Sequence, residues 1–98
     1  MTLELLTVDM FADKIGQPFV MEEPGVPAIE LTLTEATAAR PQSGAPRACF
    51  SLLFTCRGST PLPQRMYALR HSTLGLRSIF LVPIAQNGDT VTYEAIFN

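Results

Sequence analysis

Two cysteines, Cys49 and Cys56, and a single histidine, His71, are the side chains of this 98-residue sequence best suited to nucleophilic, acid–base or metal chemistry. A cysteine beside a histidine can form a thiolate–imidazolium pair, and a cluster of such groups can hold zinc. The spacing favours neither. The cysteines lie seven positions apart, so on a regular strand they face opposite sides, which excludes an intrastrand disulfide and argues against a shared metal ion. No Cys-His signature surrounds either one, and inert thiols acting as small hydrophobes are expected. His71 shares a strand face with Tyr67 and Leu69 in "MYALRH", which predicts a partly buried, hydrogen-bonded ring without an identifiable base or nucleophile partner. Glu22 and Glu23 precede a turn and read as solvated charge. The six glycines make neither GxGxxG nor GxxxxGK. The expectation is no enzyme, no metal and no cofactor.

The elements that would position these residues are mostly strands. Residues 7 to 16, "TVDMFADKIG", read as one short helix. Thr7 suits the cap, Leu6 and Phe11 a hydrophobic staple, Asp9 the first turn, and Lys14 with Gly16 the stop. Leu6, Met10, Phe11 and Ile15 would form its packing side. Everything after Gln17 reads as strand and turn. Residues 18 to 23 form a short strand; residues 28 to 35 alternate with Ile29, Leu31 and Leu33 on one face and Glu30, Thr32 and Thr34 on the other. Residues 48 to 56 set Phe50, Leu52, Phe54 and Cys56 against Cys49, Ser51, Leu53 and Thr55. A hairpin through "STLG" follows "MYALRH". "QNGD", residues 86 to 89, predicts a two-residue turn at Asn-Gly, after which Val91, Tyr93, Ala95 and Phe97 share a face. Pro83 inside an apparent strand predicts a bulge or an edge. Short connections make sequential strands pair. The expected fold is mainly β: one domain over residues 1–98, an antiparallel meander of five or six strands curled into a half-barrel, with one short N-terminal helix over an opening.

Charged residues make up 16% of the chain and hydrophobic ones 47%, where about 25% charged is ordinary. A short chain keeps much of its surface wet, so the shortage points to a surface covered by another copy or by a partner. The net charge of −2 argues against nucleic acid as a partner. No run reaches the roughly 18 apolar residues that span a bilayer, and residues 1 to 6 lack the positive start of a secretory signal. A cytoplasmic protein with reduced thiols is expected, with no membrane partner.

From Ile79 to Ile84 consecutive positions are apolar, so both faces of one strand need cover. One can meet the barrel interior, the other the helix or a partner. Leu53, Ile79, Leu81 and Ile96 are the expected outward contact residues, with Arg70 and Arg77 as rim pairs. The C-terminal strand is a candidate edge for an added partner strand. The meander would gather Arg40, Arg47, Arg70 and Arg77 at one end and Glu22, Glu23 and Asp89 at the other, with Arg57 and Arg65 mixed in. The alternative to protein association is a small-ligand module whose cavity is lined by Phe50, Phe54, Tyr67, Phe80 and Tyr93.

The segments "FSLLF", "FLVPI" and "YEAIFN" resemble the small bacterial domain-of-unknown-function family 6916. Its helix, "ELTL" strand, "PFSLLF"-like strand, "LPQ…Y.L.H..LG" hairpin and "FLVP…YEA.FN" ending are similar to Phe11 to Gly16, Glu30 to Leu33, Phe50 to Phe54, Leu62 to Gly75 and Phe80 to Asn98. Cys49 and Phe50 depart from it where a proline is usual. The resemblance brings no activity and no catalytic residues. It implies association with tail-like or fibre-like bacterial assemblies, and hence a structural or accessory role.

Overall fold

In the computed structural model, residues 7–24, 28–38, 50–58 and 61–97 are described. A helix, α1 (Val8–Ala12), precedes six strands: β1 (Pro18–Met21), β2 (Ile29–Ala38), β3 (Phe50–Arg57), β4 (Arg65–His71), β5 (Gly75–Asn87) and β6 (Thr90–Phe97). The helix is shorter than expected. Thr7 stands at its N-cap with extended backbone and accepts the Met10 N–H through its carbonyl at 3.1 Å, but its side chain makes no cap bond. After Ala12 the chain turns, and Gly16 takes φ +89° on the way into β1. Phe11 is fully buried, whereas Ile15, expected beside it, is half exposed because the helix has ended before it. Leu6 and the staple lie outside the described residues, as do Cys49, Arg40 and Arg47.

All pairings are antiparallel, and the sheet closes into a barrel in the order β1-β2-β3-β6-β5-β4. The expected half-barrel is thus a full one, and the order departs from a continuous meander at a single connection. β4, the next strand in sequence after β3, stands three places from it round the six-stranded ring, and Leu62 and Pro63, just before β4, lie at the barrel mouth. Pro61 and Pro63 remove the amide donors that a hairpin beside β3 would need. As a consequence β6 lies between β3 and β5, and the expected free C-terminal edge does not exist.

The interior takes one face of every strand. Phe19 and Met21 point in, and so do Leu31 and Leu33, Phe50, Leu52 and Phe54, Tyr67 and Leu69, and Val91, Tyr93 and Ala95, the last four groups as their alternation predicted. β5 is the exception. Ile79 and Leu81, expected outside, are 1% and 0% exposed, while Phe80, expected in a cavity, is 45% exposed. A strand apolar on both faces carries no parity of its own. The ladder supplies it: Tyr67 pairs with Ile79 and Met66 with Phe80.

Two bulges adjust the register. Between Leu33 and Glu35 the extra residue is Thr34, whose hydroxyl donates to the Leu53 carbonyl at 3.2 Å. Between Pro83 and Ala85 the extra residue is Ile84, at the site that proline marked. That shift moves the hairpin. Asn87 pairs with Thr90, so the two turn residues are Gly88 and Asp89 instead of Asn87 and Gly88. Gly88 alone has positive φ, +60°, the pattern of a type II′ turn with glycine first.

Each barrel end has its own plug. At one end Phe11 packs against Phe19, Phe50 and Phe97, with ring centroids 6.3, 6.0 and 6.1 Å away, and Phe50 stacks on Phe97 at 4.5 Å. Such a ring cluster contributes packing beyond its area. Phe11→Ala should therefore cost about 3–5 kcal/mol of unfolding free energy, and Ile15→Ala less than about 0.5 kcal/mol; chemical denaturation followed by circular dichroism checks both.

Candidate functional site

At the second mouth Leu62 is held over the barrel by two buried tyrosines. The Leu62 N–H donates to the Tyr93 hydroxyl oxygen at 2.9 Å, and the Tyr67 hydroxyl donates to the Pro63 carbonyl at 2.6 Å. Burial pushes the Tyr93 phenol above its ordinary value. The spaces on either side of Leu62 are small: about 270 Å³ lined by Cys56, Val91 and Tyr93 among others, and about 290 Å³ lined by Met21, Pro63 and Tyr67 among others. Of the five expected cavity residues, Phe50, Phe54, Tyr67 and Tyr93 share the interior as packed core, and Phe80 does not join them.

The chemistry-bearing side chains are placed apart. Cys56 is buried and free, its Sγ donates to the Arg57 carbonyl at 3.4 Å, and burial pushes its thiol above the ordinary range. That is the state of an unreactive cysteine. His71 is buried at the opposite end, bonded to Gln17 and to its own turn. Among the described residues no group of three or more His, Cys, Asp or Glu could hold a metal ion.

The expected separation of arginines and carboxylates fails at Arg70, which pairs with Glu22 across the β1–β4 seam, while Arg65 and Arg57 stand among the carboxylates as expected. Arg70 donates to both oxygens of Glu22, at 2.7 and 3.1 Å, and Arg65 to Glu23 at 2.9 Å. The guanidinium beside Glu22 holds that carboxyl below its ordinary value. Arg57 approaches Asp89 at 3.7 Å, on exposed side chains. Arg77 donates through Nε to the Leu74 carbonyl, so it supports a turn.

The unsatisfied feature is apolar. Met66 and Phe80 are direct cross-strand partners on the outside of the barrel. Ile96 follows on the next strand: Val82 pairs with Glu94, and Phe80 and Ile96 lie two residues along from each. Met66, Phe80 and Ile96 are 55%, 45% and 62% exposed. Half-buried Val82 and Leu53 border them in the adjoining row, on either side of Glu94. Of the six expected contact residues, Leu53 and Ile96 sit on this face and Arg70 on its β4 side; Ile79 and Leu81 are core. Met66, Phe80 and Val82 were missed. The three-residue turn 72–74 was the available signal, since it sets Tyr67 opposite Ile79 and so turns Phe80 outward.

The family model described as Domain of unknown function (DUF6916) matches residues 6–97. The chain belongs to that family. No curated protein and no solved structure matches it. No helix among the described residues is long and apolar enough to cross a membrane.

Because Tyr93 and Leu62 line the space beside Cys56, loosening the chain at Leu62 should expose that thiol. Tyr93→Phe and Tyr67→Phe should each cost about 0.5–1.5 kcal/mol. In a Cys49→Ser background, Tyr93→Phe should also raise the native-state labelling rate of Cys56, read by mass spectrometry with a maleimide. Unchanged labelling would show that the hydroxyl does not hold the mouth closed.

Proposed function

We propose that this domain is a non-enzymatic structural or accessory module that acts by protein–protein association, and that its outer β4–β5–β6 face receives a second copy of the chain. The carrying observation is the row Met66, Phe80 and Ile96, three large apolar side chains together on an exposed sheet face. Single exposed apolar residues are ordinary, but a contiguous patch marks an interaction surface.

A two-fold axis through the row lays apolar on apolar, which is the self-complementarity an isologous contact needs. A tail-like or fibre-like bacterial assembly is the setting proposed for such a subunit, supported by the family resemblance alone. The ligand-module reading draws less support, since its aromatic set is divided between the core and the outside.

Light scattering across protein concentration tests the reading. The wild type should exceed 10.7 kDa, and Phe80→Glu or Ile96→Glu should return it to that mass with stability changed by no more than about 0.5 kcal/mol. A wild type that stays at the monomer mass throughout would sink self-association.

A further inference from the structure

His71 joins three parts of the fold through one ring. Its Nδ1 accepts the backbone N–H groups of Thr73 at 3.1 Å and Leu74 at 3.3 Å, with the Thr73 hydroxyl 3.2 Å away. Backbone N–H groups only donate, so Nδ1 carries a lone pair and the ring proton sits on Nε2. From there it donates to Gln17 Oε1 at 2.6 Å, at the junction of α1 and β1. The ring is 3% exposed and lies 4.6 Å from the Phe19 ring. Phe19 in turn meets Phe11 and Phe54.

We infer that His71 is a pH-responsive latch: its neutral ring fastens the β4–β5 turn to the α1–β1 junction, and protonation in mildly acidic solution releases that turn. A second proton has to go onto Nδ1, where it would point at the two N–H donors that this nitrogen now accepts. The Thr73 hydroxyl can take it only after both amide bonds are lost. Keeping the ring in place then turns its Nδ1 from acceptor to donor against the turn and breaks both amide bonds, and moving it removes the Phe19 contact and the Gln17 partner.

The surrounding charges act on this balance. Lys14, from the chain between α1 and β1, opposes protonation; Asp13 beside it favours it. Arg77 on β5 binds the Leu74 carbonyl of the same turn, and the adjacent Arg70 is held by Glu22. Burial first, and Lys14 second, keep the imidazole below its ordinary value, with Asp13 acting against them. The sign follows. Above the unfolded-state value of about 6.5 the ring is neutral in both states and the latch contributes fully; below it the unfolded chain takes up the proton more readily, and stability falls with pH.

Ring nitrogen NMR and amide hydrogen exchange at pH 7.5 and 5.0 test the latch. The wild type should show the Nε2–H tautomer at pH 7.5. Thr73 and Leu74 should lose about tenfold in protection at pH 5.0, after correction for intrinsic exchange, while Leu52 and Tyr93 keep theirs. In His71→Asn the side-chain oxygen can accept from the turn without titrating, so protection there should be flat with pH. An equal fall in His71→Asn would overturn the latch, and so would unchanged protection in the wild type. If His71→Asn does not fold, the wild type decides: coincident midpoints for ring titration and turn exchange support the latch, and separate ones refute it.

Discussion

The barrel depends on one seam. β1 has four residues, and only Val20 and Met21 find register partners on β4, yet this contact turns an open sheet into a closed one. Where the strand ends, side chains continue its work. The Glu22 N–H donates to the Ala68 carbonyl at 2.9 Å, the Glu23 carboxylate accepts the Ala68 N–H at 3.3 Å, and the two carboxylates grip Arg70 and Arg65. Exposed ion pairs contribute little on their own, but here they extend a backbone ladder in register. Arg65 also lies over the Tyr67 ring at 4.6 Å, which ties the seam to the chain at Pro63 that Tyr67 holds. An open seam would present two strand edges, and closure removes that hazard.

Closure also decides where the apolar residues can go. A six-stranded barrel has a narrow interior that one face of each strand fills, with Phe11 completing one end and Leu62 packing against the core at the other. Apolar residues beyond that number must lie outside. The charge-poor composition reappears in the row on β4, β5 and β6 and in exposed Ile15, Leu76 and Ile84, while the outer faces of β2 and β3 carry mostly Thr, Ser, Glu and Arg.

Alternation made most of this legible. Most residues assigned inward on β2, β3 and β6 carried a polar neighbour that set their face, and the strands follow within a few residues. Pro83 marked its bulge because a missing N–H is a local property. What stayed hidden was non-local. The place of β4 three strands round from β3 is decided by which strands close the ring, the turn at Gly88 and Asp89 by a bulge several residues upstream, and the pairing of Glu22 with Arg70 by a seam between strands far apart in sequence. The face of Phe80 failed for the same reason. Its own strand was apolar on both sides, so only its partner across the ladder could orient it.

The proposed association through a face draws support from the way β5 is guarded against an added strand. β5 runs past the end of β4, and from Val82 to Asn87 it pairs with β6 on one side only. That overhang is the natural place for a foreign strand to dock. It contains Pro83, which offers no donor, and the Ile84 bulge, which breaks the even spacing a ladder needs. The chain thus blunts this overhang while leaving Met66, Phe80 and Ile96 exposed a few residues away. Protection of this edge together with exposure of the face supports the proposed contact by side-chain packing over strand addition.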